Sequence, residues 1–224
     1  VSPAPGRRFR AVSLDVYGTL LRNEDLVLIP RRMVADHGLA AGAEDLLRRW
    51  LGLYHEAIRR PPFRSLRAIH GDILGRLLRE AGAAASPAPY VEMFFELTTA
   101  AAAYEDAAAL PALLDGRPCA LVSNADLEHQ ARWTLPWPPA LVLVSEAVRA
   151  YKPDPRPFQA ALEALGLAPA EVLHVGDSEL DDVAGARAAG LAVAWINRDG
   201  RPRRPGLPAP DFELPDLCGL AALL

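Results

Sequence analysis

The sequence predicts an α/β protein, a Rossmann-like parallel sheet core with an inserted α-helical region. Two observations predict the core and a third predicts the insertion. Short β-rich apolar runs alternate with helical patterns over much of the chain, as in a parallel sheet covered by helices on both faces. Several of those runs end directly in a carboxylate, hydroxyl or amide, at the edge where open α/β sheets bind ligands. Roughly residues 22 to 100 break the alternation and read as helical throughout.

The first strand is Phe9-Arg10-Ala11-Val12-Ser13-Leu14. It runs into Asp15 and then Val16-Tyr17-Gly18-Thr19-Leu20-Leu21, which places a carboxylate beside a glycine that allows a sharp turn and a threonine hydroxyl. The arrangement suits a carboxylate nucleophile, although Asp before Gly-Thr also starts turns and caps helices. In the insertion, Leu46, Leu47, Trp50, Leu51, Tyr54 and Ile58 recur at helical spacing, as do Ile69, Ile73, Leu74, Leu77 and Leu78. Gly38 and Gly82 follow periodic runs as stop signals, and Ser86-Pro87-Ala88-Pro89 turns into a further helix through Met93, Phe94 and Leu97. Trp50, Tyr54 and Phe63 suit helix packing better than pocket lining. Strands are then expected near residues 119 to 123, 140 to 144, 171 to 175 and 191 to 196, with helices near 126 to 133, 157 to 165 and 179 to 189. The expected division is residues 1–21 plus 101–224 for the core and 22–100 for the helical insertion.

Three later segments carry polar groups to strand ends. Cys119-Ala120-Leu121-Val122-Ser123-Asn124 delivers a hydroxyl and a carboxamide. In Tyr151-Lys152-Pro153-Asp154-Pro155-Arg156-Pro157, the prolines hold Lys152 in an extended stretch before a helix, so that it reaches inward. His174-Val175-Gly176-Asp177-Ser178-Glu179-Leu180-Asp181-Asp182 crowds carboxylates at one strand-to-helix turn. An acidic helix start accounts for Glu179, Asp181 and Asp182, but not for the Gly-Asp at the strand end. A divalent cation or a lysine resolves such crowding, and oxygen-only ligands favour Mg²⁺. His174 itself reads as packed inside its strand.

Together these segments resemble the four motifs of the haloacid dehalogenase superfamily of hydrolases, over about residues 9 to 196. The resemblance implies that Asp15 is the nucleophile of a covalent aspartyl intermediate. Ser123 and Lys152 would hold the substrate's anionic group, with Thr19 a further donor and Asn124 and Gly18 against the substrate. Asp15, Asp177 and the backbone carbonyl of Tyr17 would ligate Mg²⁺, and Asp182 would complete the set or position water or Lys152. The helical insertion would be a cap that selects small, soluble substrates.

Two features pull apart. Phosphatases of the superfamily carry a second Asp two residues after the nucleophile as general acid and base, and here that residue is Tyr17. A phenol of pKa ~10 is poorly matched to that work. The Asp-x-Tyr-Gly-Thr-Leu pattern resembles the 2-haloacid dehalogenase branch, in which halide leaves without a proton and no metal is used; the run Ala194 to Pro202 resembles it too. Gly176-Asp177-Ser178 resembles the phosphatases. The expectation is therefore Mg²⁺-dependent phosphoester hydrolysis, with metal-independent 2-haloacid dehalogenation as the alternative. A weakly active or inactive ligand-binding member lacking the general acid is a third reading. Arg48, Arg49, Arg59, Arg60, Arg64 and Arg67 are candidate cap residues for substrate, and solvated helix faces account for most of them.

Composition narrows the partners. The 224 residues are 51% apolar with a net charge of −4, enough for one core and an insertion and without the basic field that nucleic acid requires. No apolar stretch approaches the ~20 residues that span a bilayer. No charged-then-apolar leader is read at the N-terminus. Two cysteines, Cys119 and Cys218, form no disulfide framework, so a reducing cytoplasm is the expected setting. Cap arginines and exposed apolar faces could also serve a homodimer.

Overall fold

The computed structural model describes residues 9–135 and 137–224. The expectations about an N-terminal leader and about the start of the core, read from residues 1–8, lie outside the described residues. The chain divides into two compact units: residues up to Arg22 with Ala102–Asn124 and Leu135–Leu224, and Asn23–Ala101 with Ala125–Thr134. The segment 125–134, assigned to the core in the sequence analysis, thus groups with the helices of the insertion.

The first unit is a six-stranded parallel sheet. Its strands are β1 (Ala11–Leu14), β2 (Cys119–Ser123), β3 (Leu141–Val144), β4 (Val172–Gly176), β5 (Ala192–Ile196) and β6 (Phe212–Leu214), in the order β3-β2-β1-β4-β5-β6. The chain runs outward from β1 in both directions, so the switch point lies at the carboxyl end of β1, where such sheets open a crevice. β1, β2, β4 and β5 are buried at every residue, which is why they read as continuous apolar runs rather than alternating ones. Leu14 pairs with Leu121 on one side and Val175 on the other, putting the ends of β1, β2 and β4 level.

On one sheet face Ala11, Ala120, Val122, Val172, Val193 and Trp195 pack against Phe158, Ala161 and Leu162 of helix Arg156–Leu165 and against Val183, Ala186 and Leu191. β6 was not foreseen. Phe212-Glu213-Leu214 lies in a proline-rich tail that resembles loop, and it is held as a strand by its neighbours. Asp211 accepts from the Val193 amide at 2.9 Å and pairs with Arg187, while Phe9 meets Phe212 edge-on at 6.5 Å.

In chain order the helices are α1 (Leu28–His37), α2 (Ala43–Ala57), α3 (Leu66–Glu80), α4 (Ala88–Thr99), α5 (Leu110–Leu114), α6 (Leu127–Arg132), α7 (Ser145–Val148), α8 (Arg156–Leu165) and α9 (Ala184–Ala188). α1 to α4 and α6 belong to the second unit. In α3 the apolar positions repeat every three or four residues, and Leu66, Ile69, Ile73, Leu74, Leu77 and Leu78 are all buried. Trp50 is buried as well, its indole N–H donating to His70 Nδ1 at 2.9 Å. His70 lies 4.1 Å from the Phe94 ring, and Phe95 lies 4.4 Å from His129, whose Nε2 meets Thr98 Oγ1 at 3.1 Å. Burial pushes His70 down to about 3 and His129 down to about 4, so both are neutral near pH 7. Trp50 is thus core, as its spacing indicated, and truncating such a side chain to alanine typically costs about 3–5 kcal/mol.

The two ends of the insertion are stitched together within the sheet unit. Leu21 bridges Ala103 antiparallel, the Arg22 amide donates to Ala102 O at 2.9 Å, and the Tyr104 amide donates to Leu20 O at 2.9 Å. Arg198 stacks on Tyr104 at 3.8 Å and pairs with Asp106 at 2.9 Å, with its Nη2 donating to the Thr19 carbonyl at 2.9 Å. Among the described residues no helix is long and apolar enough to cross a membrane.

Candidate active site

Asp15 begins where β1 ends. Its amide still donates to Val175 O at 2.9 Å, so the sheet ladder fixes its backbone. The chain then turns through Val16 to Leu21, closed by Leu20 N–H and Leu21 N–H to Val16 O, both at 2.8 Å, and by Gly18 N–H to Leu21 O at 2.7 Å. Gly18 has φ +88°, and a Cβ there would lie 2.5 Å from the Asp177 carboxylate. Any other residue would be strained and would push Asp177 away. Gly176 does the same on β4, since a Cβ on it would sit 2.3 Å from Asp182. These two glycines let three carboxylates converge.

Asp15, Asp177 and Asp182 each place an oxygen within 4.8 Å of the others. Lys152 is 2% exposed, and its Nζ donates to Asp15 Oδ1 and Asp182 Oδ1, each at 2.6 Å. Its place is set by Asn124, whose Oδ1 accepts the Lys152 amide at 2.7 Å and whose Nδ2 donates to the Lys152 carbonyl at 3.1 Å. Asn124, expected against the substrate, thus has both ends of its side chain on the lysine backbone.

Asp182 is closed on all sides. It lies within a wide π-helical turn over Glu179–Val183, in which both the Asp182 and Val183 amides donate back to Ser178 O. Its Oδ2 accepts the Ser178 amide at 2.9 Å, and its Oδ1 meets His174 Nε2 at 3.3 Å as well as Lys152. His174 Nδ1 in turn meets Ser13 Oγ at 2.8 Å. His174 is packed, as expected, but it also orients Asp182. Sequence reasoning missed that link, and the signal was the strand period, since Ser13 and His174 are paired in register across β1 and β4.

Asp177 is the opposite case. Its carboxylate accepts one hydrogen bond among the described residues, from Thr19 Oγ1 at 3.5 Å. Thr19 is fully buried and serves this carboxylate. Burial, with the charges of Asp15 and Asp182, pushes the Asp177 pKa well above the ordinary carboxylate value. Burial likewise raises Asp15, to about 7, against the pull of Lys152. For Asp182 the Lys152 charge and the His174 bond outweigh burial and hold it below the ordinary value. For Lys152 the two carboxylates outweigh burial and hold the ammonium charged.

The balance of the group is three carboxylates against one ammonium, with Asp177 left over. A hard divalent cation fits that remainder, because Asp15 Oδ2 and the Asp177 carboxylate meet no cationic side chain among the described residues, while both oxygens of Asp182 are already engaged. Ser123, at the end of β2, is 3% exposed, and its Oγ has no hydrogen-bond partner among the described residues. A buried hydroxyl without a partner is available to a ligand. Tyr17 is half-buried in the turn after Asp15.

Five of the six candidate cap arginines are engaged in ion pairs. Arg48 pairs with Asp45, Arg49 with Glu80, Arg60 with Glu56, Arg64 with Asp72, and Arg67 with both Glu92 and Glu128. A groove of about 400 Å³ in the helical unit is lined by Leu53, Ile69, Ile73, Arg60 and Arg76, among others, and by none of Asp15, Ser123, Lys152, Asp177 and Asp182.

Residues 9–190 match the family model described as haloacid dehalogenase-like hydrolase. The chain is 32% identical to a phosphoserine phosphatase of Thermus thermophilus, over 91% of this chain and 94% of that protein. Among solved structures it is similar to the L-2-haloacid dehalogenase of Xanthobacter autotrophicus, with a TM-score of 0.78 at 23% identity over 96% of this chain and 98% of that one. It is also similar to a dehalogenase solved with an intermediate complex, with a TM-score of 0.77 at 26% identity, covering 96% and 97%. The likeness to the Xanthobacter enzyme is one of fold.

Proposed function

The chain belongs to the haloacid dehalogenase-like hydrolases, and from that premise we propose that it hydrolyses small phosphate monoesters through a covalent intermediate on Asp15. The observation that carries this reading is Asp177, a half-buried carboxylate beside Asp15 with which no cationic side chain among the described residues pairs. Metal-free displacement of halide has no use for such a group; phosphoryl transfer to a carboxylate does. Asp15 and Asp177 would hold Mg²⁺, with the Tyr17 carbonyl as a further ligand on the family pattern. When bound, the ion supplies positive charge that offsets repulsion between the anionic phosphoryl group and the anionic nucleophile.

The side chains divide the remaining work. Lys152 and the Ser123 hydroxyl hold the equatorial oxygens of the phosphoryl group and stabilise charge on them in the transition state. Asp15, held in line by Lys152 through one oxygen, attacks phosphorus with the other and displaces the alcohol oxygen. Water then attacks the acyl phosphate at phosphorus, releasing inorganic phosphate and restoring the Asp15 carboxylate. Asp182 and His174 keep the lysine aimed throughout. With Tyr17 where a carboxylic acid would stand, the departing oxygen takes its proton from solvent, so esters of acidic alcohols are the better substrates.

A panel of small phosphate esters, phosphoserine included, should show Mg²⁺-dependent turnover. Both Asp15→Asn and Asp177→Ala should lower it by about 10³-fold or more. Turnover that survives chelation of divalent ions would sink the reading. Tyr17→Asp should raise the rate on alkyl esters more than on p-nitrophenyl phosphate, by about 10-fold or more.

Tyr17 itself favours a second reading, 2-haloacid dehalogenation, in which Asp15 displaces halide from carbon and the leaving group needs no proton. Chloride release from 2-chloropropionate in the presence of chelator would establish it in place of the first.

A further inference from the structure

The chain passes from the sheet unit to the helical unit between Asn124 and Ala125 and returns between Thr134 and Leu135. Two clasps flank the first crossing. On the sheet side, Asn124 grips the Lys152 backbone through both ends of its amide. On the helical side, buried Asp126 accepts the Leu66 amide on Oδ1 at 2.8 Å and the Arg67 amide on Oδ2 at 3.0 Å. Those are the first two amides of α3, which have no carbonyl partner within their own helix. The carboxylate also complements the positive end of α3.

The segment that carries Asp126 is anchored further. The Asp126 amide donates to His129 Nδ1 at 3.2 Å, Arg67 pairs with Glu128 at 2.8 Å, and the Arg67 guanidinium lies 4.2 Å over the Phe95 ring. Only Ala125, fully buried, separates the two clasps. One residue reaches at most ~3.6 Å, so there is little chain to absorb a shift.

We propose that Asp126 is a positioning residue. By capping α3 it holds the loop that carries Ser123 and Asn124, and through Asn124 the backbone of Lys152, so that the order of the first turn of α3 sets the geometry of the groups that grip the substrate's anion. The kinetic side of this proposal rests on the phosphoester reading; its structural side does not.

The test perturbs α3 and reads the result at Ser123. Leu66→Pro deletes one of the two amides at the first helical position, where proline is accommodated, and Ser65 before it already has φ −65° and ψ 157°. Leu66→Ala keeps the amide and trims the same side chain. Asp126→Asn keeps one acceptor and the shape. Hydrogen exchange over residues 119–124 should quicken about 10-fold or more in Leu66→Pro and Asp126→Asn and stay at the wild-type rate in Leu66→Ala. KM for a small phosphate ester should rise about fivefold or more in the first two variants, with a smaller change in kcat.

The proposal is overturned if exchange over 119–124 stays unchanged in Leu66→Pro and Asp126→Asn, or if Leu66→Ala matches them. Should Leu66→Pro fail to fold, Asp126→Asn decides by the same measures. If the wild-type protein turns over no phosphate ester, the functional reading fails, and the exchange experiment still decides this one.

Discussion

The two units bury polar groups on opposite terms. In the helical unit Trp50, His70, Thr98, Asp126 and His129 form a closed set, with neutral histidines and a carboxylate shared by two amides. In the sheet unit, among the described residues, Asp15, Asp177, Asp182 and Lys152 leave negative charge in excess, and Ser123 leaves a hydroxyl unused. The helical set is what a fold needs to bury polarity without loss of stability. The sheet set is what a fold tolerates in order to act on something else. Unsettled charge, more than burial or polarity, marks the candidate site.

The largest effect on stability that separates the two sets should come from Lys152→Met. It strands buried Asp15 and Asp182 and should cost about 3–5 kcal/mol in chemical denaturation. A loss below about 1 kcal/mol would mean that the carboxylates are already neutralised by protons, and the contrast would collapse.

Acid should move the two units in opposite directions when divalent ions are absent. The folded pKa of Asp15 is about 7, above its ordinary 3.8, so its contribution is most favourable at low pH and is lost as pH rises through 7. His70 and His129 sit at about 3 and about 4, below their ordinary 6.5, so their contribution is present above 6.5 and is lost as pH falls toward 4. At pH 5 each histidine should cost about 2 kcal/mol of stability relative to pH 7. Hydrogen exchange corrected for intrinsic pH dependence should show protection falling over α3 and α4 while β1 and β4 hold or gain. Parallel changes in both units would break the comparison.

The smallest effect should come from the exposed ion pairs of the helical unit. Arg64→Ala, which removes the bond to Asp72, should change stability by about 0–1 kcal/mol and leave KM unaltered. A large rise in KM would return the cap arginines to the substrate.

The strands that carry the site were legible because each is a buried apolar run that stops at a polar residue, and the parallel order then levels their ends. Asp15, Ser123, Lys152, Asp177 and Asp182 meet at one sheet edge for that reason. What the sequence hid is set by contacts far along the chain. β6 depends on Asp211 and its neighbours, since Phe-Glu-Leu among prolines has no strand period of its own. Thr19 faces Asp177, and Asn124 faces the Lys152 backbone, neither of which spacing alone could assign. Residues 125–134 read as the next helix of a βα series, yet they join the insertion because Asp126 meets amides some 60 residues earlier.

The stitched ends at Leu20 to Arg22 and Ala102 to Tyr104 bear on how such a protein can be rebuilt. Because departure and return are bridged side by side, helical inserts of other lengths could be grafted there with little disturbance to the strands behind. A donor insert exchanged at those points alone would arrive without the counterpart of residues 125–134. Chimeras should therefore recover order only when both pieces are transplanted together.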